Sequence, residues 1–201
     1  MKHLLLSLLA AAVLPAAAQS SNWATWNPVG DVSASSSGAL LTTAAFESGE
    51  TPASGTSAAL WFDIESALGT ALDGDTIEGS ALATSFSAVA GTRVSVDWSL
   101  STEGFDPAFA DRAYVLLDGQ LQTLATVGSA LQSGTFSFTV TGSGTHSLAF
   151  AVMDVNDVAG LSHLALSGLQ VTPVPEPATI ALWLAGLGVV GGLARRRRTS
   201  M

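Results

Sequence analysis

Two acidic stretches carry the residue types best able to do chemistry: Asp73, Asp75 and Glu78 in DGDTIE, and Asp154, Asn156 and Asp157 in DVNDVAG. Carboxylate, amide and backbone carbonyl oxygens are the ligands calcium takes, about six to eight at a time. The spacing falls short of the D-x-[DN]-x-[DN]-G calcium loop, because Val158 is apolar and Gly160 comes late. Plain turns account for the same residues, since Asp and Asn readily bond their own backbone. Glu103, Asp106 and Asp111, in the segment Thr102 to Arg112, could join either group. No motif requires a cofactor, and calcium is the metal this oxygen-rich pattern would suit.

Other chemistries lack essential parts. Gly160-Leu161-Ser162-His163-Leu164 begins like a nucleophile elbow, yet it has no closing glycine and leads into a strand-like run. His146 and His163 have no neighbouring histidine and no H-E-x-x-H pattern, so a catalytic zinc is not expected. Glycosidases use paired carboxylates. Here acids are so numerous that some pair falls at a suitable separation by chance, and Asp97, beside Trp98, is either a sugar contact or part of a solvated face. No catalytic residue is assigned. The chain reads as non-enzymatic, with a carboxylate-dependent polysaccharide-acting enzyme and a purely structural matrix protein as the alternatives.

Between Gln19 and Thr172 only Arg93 and Arg112 oppose fifteen Asp and Glu residues, giving about −13 for this segment against −9 for the 201-residue chain. Lysine is absent there. Nucleic acid and anionic lipid both need a cationic surface, so neither is an expected partner of this segment. With no cysteine anywhere, disulfides and thiol chemistry are excluded. The fold must then rest on its apolar core.

The elements that must position these acids are mostly strands. Val94, Val96, Trp98 and Leu100 alternate with Arg93, Ser95, Asp97 and Ser99, the period-2 pattern of a half-buried strand. Ser80–Val89, Arg112–Leu117, Gln120–Val127, Gly134–Thr141, Thr145–Val155 and His163–Val171 read similarly, as does Ala39–Ala45. Asp118-Gly119 is a two-residue hairpin turn, Ala90-Gly91 is expected to make another hairpin, and Gly168 breaks the last alternation as a bulge would. Leu60, Trp61, Ile64, Ala67, Leu68, Ala71 and Leu72 form one helical stripe closed by Asp73-Gly74, with Trp61 on the packed face. Gln19–Ser37 reads as irregular at first, its Trp23 and Trp26 packing in the core or at the sandwich edge or, if exposed, stacking on a sugar. The expected fold is all-β: an antiparallel, jelly-roll-like β-sandwich over residues 19–172 with one short helix, immunoglobulin-like topology being the alternative.

The two ends read as addresses. Residues 1–18 combine Lys2, an apolar run from Leu4 to Leu14 and an Ala16-Ala17-Ala18 cleavage pattern, the layout of a secretory signal peptide. At the other end, residues 173–201 contain Val174-Pro175-Glu176-Pro177, then an uncharged run over 178–194, then Arg195, Arg196, Arg197 and Arg198. The prolines block regular structure from upstream, and a 17-residue apolar helix capped by arginines suits a single transmembrane segment with its C-terminus inside. This order of parts resembles the PEP-CTERM sorting signal of Gram-negative bacteria. The resemblance implies processing by the membrane protein exosortase near Pro175–Pro177. It also implies export across the inner membrane, transient anchoring there, and a place at the cell surface or in the matrix, among exopolysaccharide and biofilm. The segment Glu78 to Val171 is also similar to the extracellular sandwich domains that commonly precede such signals, for which no enzymatic activity is implied and polysaccharide or another surface component is the expected contact.

Overall fold

The computed structural model describes residues 19–20, 22–173 and 182–190. The expected signal peptide, the Val174–Pro177 motif and the Arg195–Arg198 cluster lie outside the described residues, as do both ends of the expected membrane helix. Of that helix, residues 182–190 are helical. Among the described residues no helix is long and apolar enough to cross a membrane. The chain divides into two compact units, one of which is Ala18–Thr172.

That unit is an all-β antiparallel sandwich of two six-stranded sheets with one short helix. The first sheet runs β10 (Gln132–Thr139), β7 (Arg93–Glu103), β12 (Leu161–Thr172), β4 (Gly38–Thr42) and β3 (Asp31–Ala34), with β1 (Gln19–Ser20) added to β12. The second runs β2 (Asn27–Val29), β6 (Thr76–Ala88), β11 (Gly144–Val155), β8 (Arg112–Leu117) and β9 (Gln120–Thr126), with β5 (Ala59–Leu60) added to β6. Period-2 alternation turns Val94, Val96 and Leu100 of β7 and Leu164 and Leu166 of β12 inward, against Leu82 of β6 and Leu148, Phe150 and Val152 of β11. Burying each of these larger side chains contributes about 1.5–3 kcal/mol. Outside the second sheet, Ile64 of the helix α1 (Trp61–Leu68) packs with Ala81, Tyr114 and Met153.

Four expectations need correction. Gln19–Ser37 is not irregular: it holds β1, β2, β3 and a 3-10 turn at Trp23–Thr25, capped by the Asn22 side chain accepting from the Ala24 N–H at 3.1 Å. These strands are two to four residues long, too short for polarity to alternate visibly. Ala90-Gly91 closes no hairpin, because β6 and β7 belong to different sheets; the turn crosses the sandwich, with the Gly91 N–H donating to the Val140 carbonyl at 2.7 Å. Alternation tells which face is buried, not which strand lies beside it. The helix stops at Gly69, whose φ of 68° makes a left-handed cap, well before Asp73-Gly74. Ile64 and Leu72 of the predicted stripe are buried, but Trp61 is exposed, as are Ala67 and Ala71. Asp118 and Gly119 both take positive φ, 49° and 78°, and join β8 to β9 as a two-residue hairpin.

Candidate functional site

Toward one end of the sandwich, the inward positions change from apolar to polar at the strand period. On β6 the series is Leu82, Ser80, Glu78; on β11 it is Phe150, Val152, Asp154; on β12, Leu166, Leu164, Ser162; on β8, Val115 and Ala113, continued by Asp111 just before it. A layer of acids and hydroxyls therefore closes the core. Glu78, Asp111 and Asp154 are only 8%, 3% and 1% exposed. A bulge brings β6 and β11 together there, with Met153 opposite Gly79 and Val155 opposite Thr76. Gly79 is required at that point, since a Cβ would collide with the Val152 carbonyl.

Donors in this layer are spent on Asp111 and Thr43. Ser162 Oγ donates to Asp111 Oδ2 at 2.6 Å, the Val155 N–H to Asp111 Oδ1 at 3.3 Å, and the Ser162 N–H to Thr43 Oγ1 at 3.1 Å. Asp154 Oδ1 and Glu78 Oε1 are buried without a hydrogen-bond partner. Burial, reinforced by the Asp111 charge and opposed by the Thr43 hydroxyl, pushes the Asp154 carboxyl up to about 9. Asp111 is raised by burial to about 6 despite its bonds from Ser162 and Val155. Glu78 is raised by burial first, then by the Glu47 and Glu50 charges.

The six predicted metal residues thus fall into three groups. Glu78 and Asp154, one from each loop, meet in the buried layer. Asp73 and Asp75 instead face Arg112, which donates to Asp73 Oδ2 at 3.1 Å and to both Asp75 oxygens at 2.8 and 2.9 Å; Tyr114 Oη also donates to Asp73 Oδ2 at 2.8 Å. The Arg112 fork holds the Asp75 carboxyl below its usual range. Asn156 takes a left-handed φ of 64° and donates its N–H to the Asp75 carbonyl at 2.8 Å, while Asp157 accepts from the Ala159 N–H at 3.4 Å. These two do turn chemistry. Among the described residues, no three Asp, Glu, His or Cys side chains are placed to hold a metal ion by themselves.

Catalytic arrangements gain little. Asp111 and Asp154 are sealed in the core, out of reach of a polymer. Ser162 is fully buried and bonded to Asp111, whereas the neighbouring His163 lies 3.6 Å from Glu103, so serine and histidine are not paired. Asp97 accepts from Thr135 Oγ1 at 2.6 Å on the outer face of β7.

Trp23 and Trp26 pack as expected, whereas Trp61 does not. Trp23 and Trp26 stack on each other in the core at 4.6 Å between ring centroids, 1% and 5% exposed. Trp61 and Phe62 meet edge to face at 5.7 Å and are about half exposed, with Leu60 and Phe46 open as well. The Phe46 segment is tied alongside by the Phe46 N–H donating to Ser57 Oγ at 3.0 Å and the Ala58 N–H to the Ala44 carbonyl at 2.7 Å. Elsewhere Asn22, Thr25, Trp26 and Phe86 line a hollow of about 280 Å³.

Beyond the sandwich, the family model of the PEP-CTERM protein-sorting motif matches residues 173–198. This chain carries a PEP-CTERM sorting motif. The motif implies export and a C-terminal anchor before processing, and its match leaves the sandwich itself outside. No curated protein matches the sequence. Solved structures with a similar layout include TmCBM61 in complex with β-1,4-galactotriose (10% identity, 77% of this chain and 92% of that one, TM-score 0.39). The N-terminal cellulose-binding domain of Cellulomonas fimi β-1,4-glucanase C gives 12% identity, 75% and 90% coverage, and a TM-score of 0.36. The GH115 4-O-methyl-α-glucuronidase BtGH115A gives 15%, with 87% of this chain on 20% of that one and a TM-score of 0.38. At such scores the ligands of those proteins belong to them alone.

Proposed function

We propose that this PEP-CTERM chain is a non-enzymatic protein of the cell surface or extracellular matrix whose sandwich contacts polysaccharide through its exposed aromatic edge. The observation that carries the proposal is the Trp61–Phe62 pair, two aromatic rings in edge-to-face contact and each about half exposed, next to the exposed Leu60. Flat aromatic faces suit the C–H faces of sugar rings, and the acidic, lysine-free surface favours neutral sugar chains over anionic ones. In this reading the signal peptide is removed after Ala18, and the 178–194 helix holds the chain in the inner membrane with Arg195–Arg198 inside. Exosortase then processes it near Pro175–Pro177. The jelly-roll-like description of the sandwich is supported by the crossings from β6 to β7, β9 to β10 and β11 to β12, each of which passes between sheets.

Affinity electrophoresis of the full chain in detergent, through gels containing neutral exopolysaccharide, tests the proposal. Retardation is expected in the parent, with about a tenfold weaker apparent affinity, equivalent to ~1.4 kcal/mol, in a Trp61→Ala/Phe62→Ala variant. Equal mobility of parent and variant across the polysaccharides would overturn it.

A further inference from the structure

We propose that the acidic layer inside the sandwich is a calcium site, with Asp154 and Glu78 as its carboxylate ligands and the Thr43 hydroxyl beside them. Two oxygens from neighbouring strands, Asp154 Oδ1 and Glu78 Oε1, are buried at the β6–β11 bulge and have no hydrogen-bond partner. Native structures rarely leave a buried carboxylate oxygen unpaired, because its desolvation is then uncompensated. Among the described residues no counter-charge is offered. Lysine is absent between Gln19 and Thr172, Arg112 is committed to Asp73 and Asp75, and the Arg93 guanidinium reaches Ser137 on the first sheet. Asp111, Glu50 and Glu47, the groups around them, are acids as well.

The chemistry of the donors selects the ion. They are hard oxygens without sulfur or imidazole, which disfavours zinc and suits calcium. Two carboxylates are enough, because calcium completes its shell from hydroxyl, backbone carbonyl and water, whereas magnesium demands a stricter octahedron. Such a site ties β11 to β6 at the point where the apolar core ends. The alternative is that the layer holds protons and nothing else.

Thermal unfolding of the full chain in detergent, stripped with chelator and compared with millimolar calcium chloride, separates the two. Calcium at a hundred times its dissociation constant is expected to raise Tm by roughly 5 °C or more. Asp154→Asn combined with Glu78→Gln should abolish the rise, while Asp73→Asn combined with Asp75→Asn should retain it. No rise in the parent, or a rise that survives in the Asp154/Glu78 variant, overturns the proposal, and so does a rise lost only in the Asp73/Asp75 variant. Should the Asp154/Glu78 variant not fold, atomic absorption on gel-filtered parent decides: one calcium per chain supports the site and none overturns it.

Discussion

Asp31 and Asp154 are both buried aspartates next to the same polar end of the sandwich, 0% and 1% exposed, yet their surroundings treat them oppositely. Asp31 accepts the Ala53 N–H at 2.8 Å, the Ser54 N–H at 2.7 Å and the Thr42 hydroxyl. Burial works to raise its carboxyl, but these bonds outweigh it and hold the group below the usual carboxylate range. Asp154 is raised to about 9 by the same burial, with one oxygen unpartnered. Burial therefore does not decide what a carboxylate is for; the supply of donors does. Asp31 is a fastener, pinning the Ala53–Ser54 loop to β3 and β4, whereas Asp154 keeps one oxygen buried without a donor.

The largest expected effect comes from breaking the fastener. Asp31→Ala would leave two N–H groups and a hydroxyl without an acceptor, at about 1–3 kcal/mol for each that stays dry. A loss on the order of 3–5 kcal/mol is expected in chemical denaturation of the full chain, with Asp31→Asn intermediate because one acceptor oxygen survives. Equal stability of Asp31→Ala and parent would remove the distinction between the two aspartates.

A smaller effect sharpens the other side. In chelator at neutral pH, Asp154→Asn replaces a group that burial already favours in its uncharged form with a neutral side chain of nearly the same shape. Its stability is expected to stay within about 1 kcal/mol of the parent. A loss matching that of Asp31→Ala, measured in the same denaturation series, would mean that Asp154 is fastened by bonds of its own.

The contrast between these aspartates was only partly legible in the chain. The alternation in β7, the Asp118-Gly119 hairpin and the change of phase at Gly168 follow from local rules, and each reappears at its position, the last as a register shift between Ser167 and Gln170. Glu78 and Asp154 were legible as oxygen donors, but each was grouped with its neighbours in sequence. Their meeting depends on β6 pairing with β11, nearly seventy residues away, and local periodicity does not encode such partnerships. Thr43, Ser162 and Asp31 were missed as members of this end for the same reason. One signal was available: on β6 and β11 the inward series Leu82, Ser80, Glu78 and Phe150, Val152, Asp154 turns polar while the strand continues. Trp61 was misplaced because a helical stripe marks one face without telling how far the partner sheet extends beneath the first turn.

The smallest expected effect uses a third aspartate, whose donor can itself be switched off. Asp118, at the exposed hairpin tip, accepts the Ser147 N–H at 2.9 Å and lies 2.8 Å from His146 Nδ1. The bond to Asp118 raises the His146 imidazole above its ordinary value, with the Gly142 carbonyl adding to it and burial opposing it, and the same bond lowers Asp118. A histidine raised on folding contributes stability that is fully present below its unfolded value, about 6.5, and is lost as pH rises through the higher folded value. The parent is thus expected to lose a small increment of stability in that window, and His146→Gln is expected to flatten the loss. NMR titration of the His146 ring checks the cause: Asp118→Asn should move its midpoint down toward the ordinary value. An unmoved midpoint would show that the pair, unlike Asp31 and its donors, is a contact without electrostatic consequence.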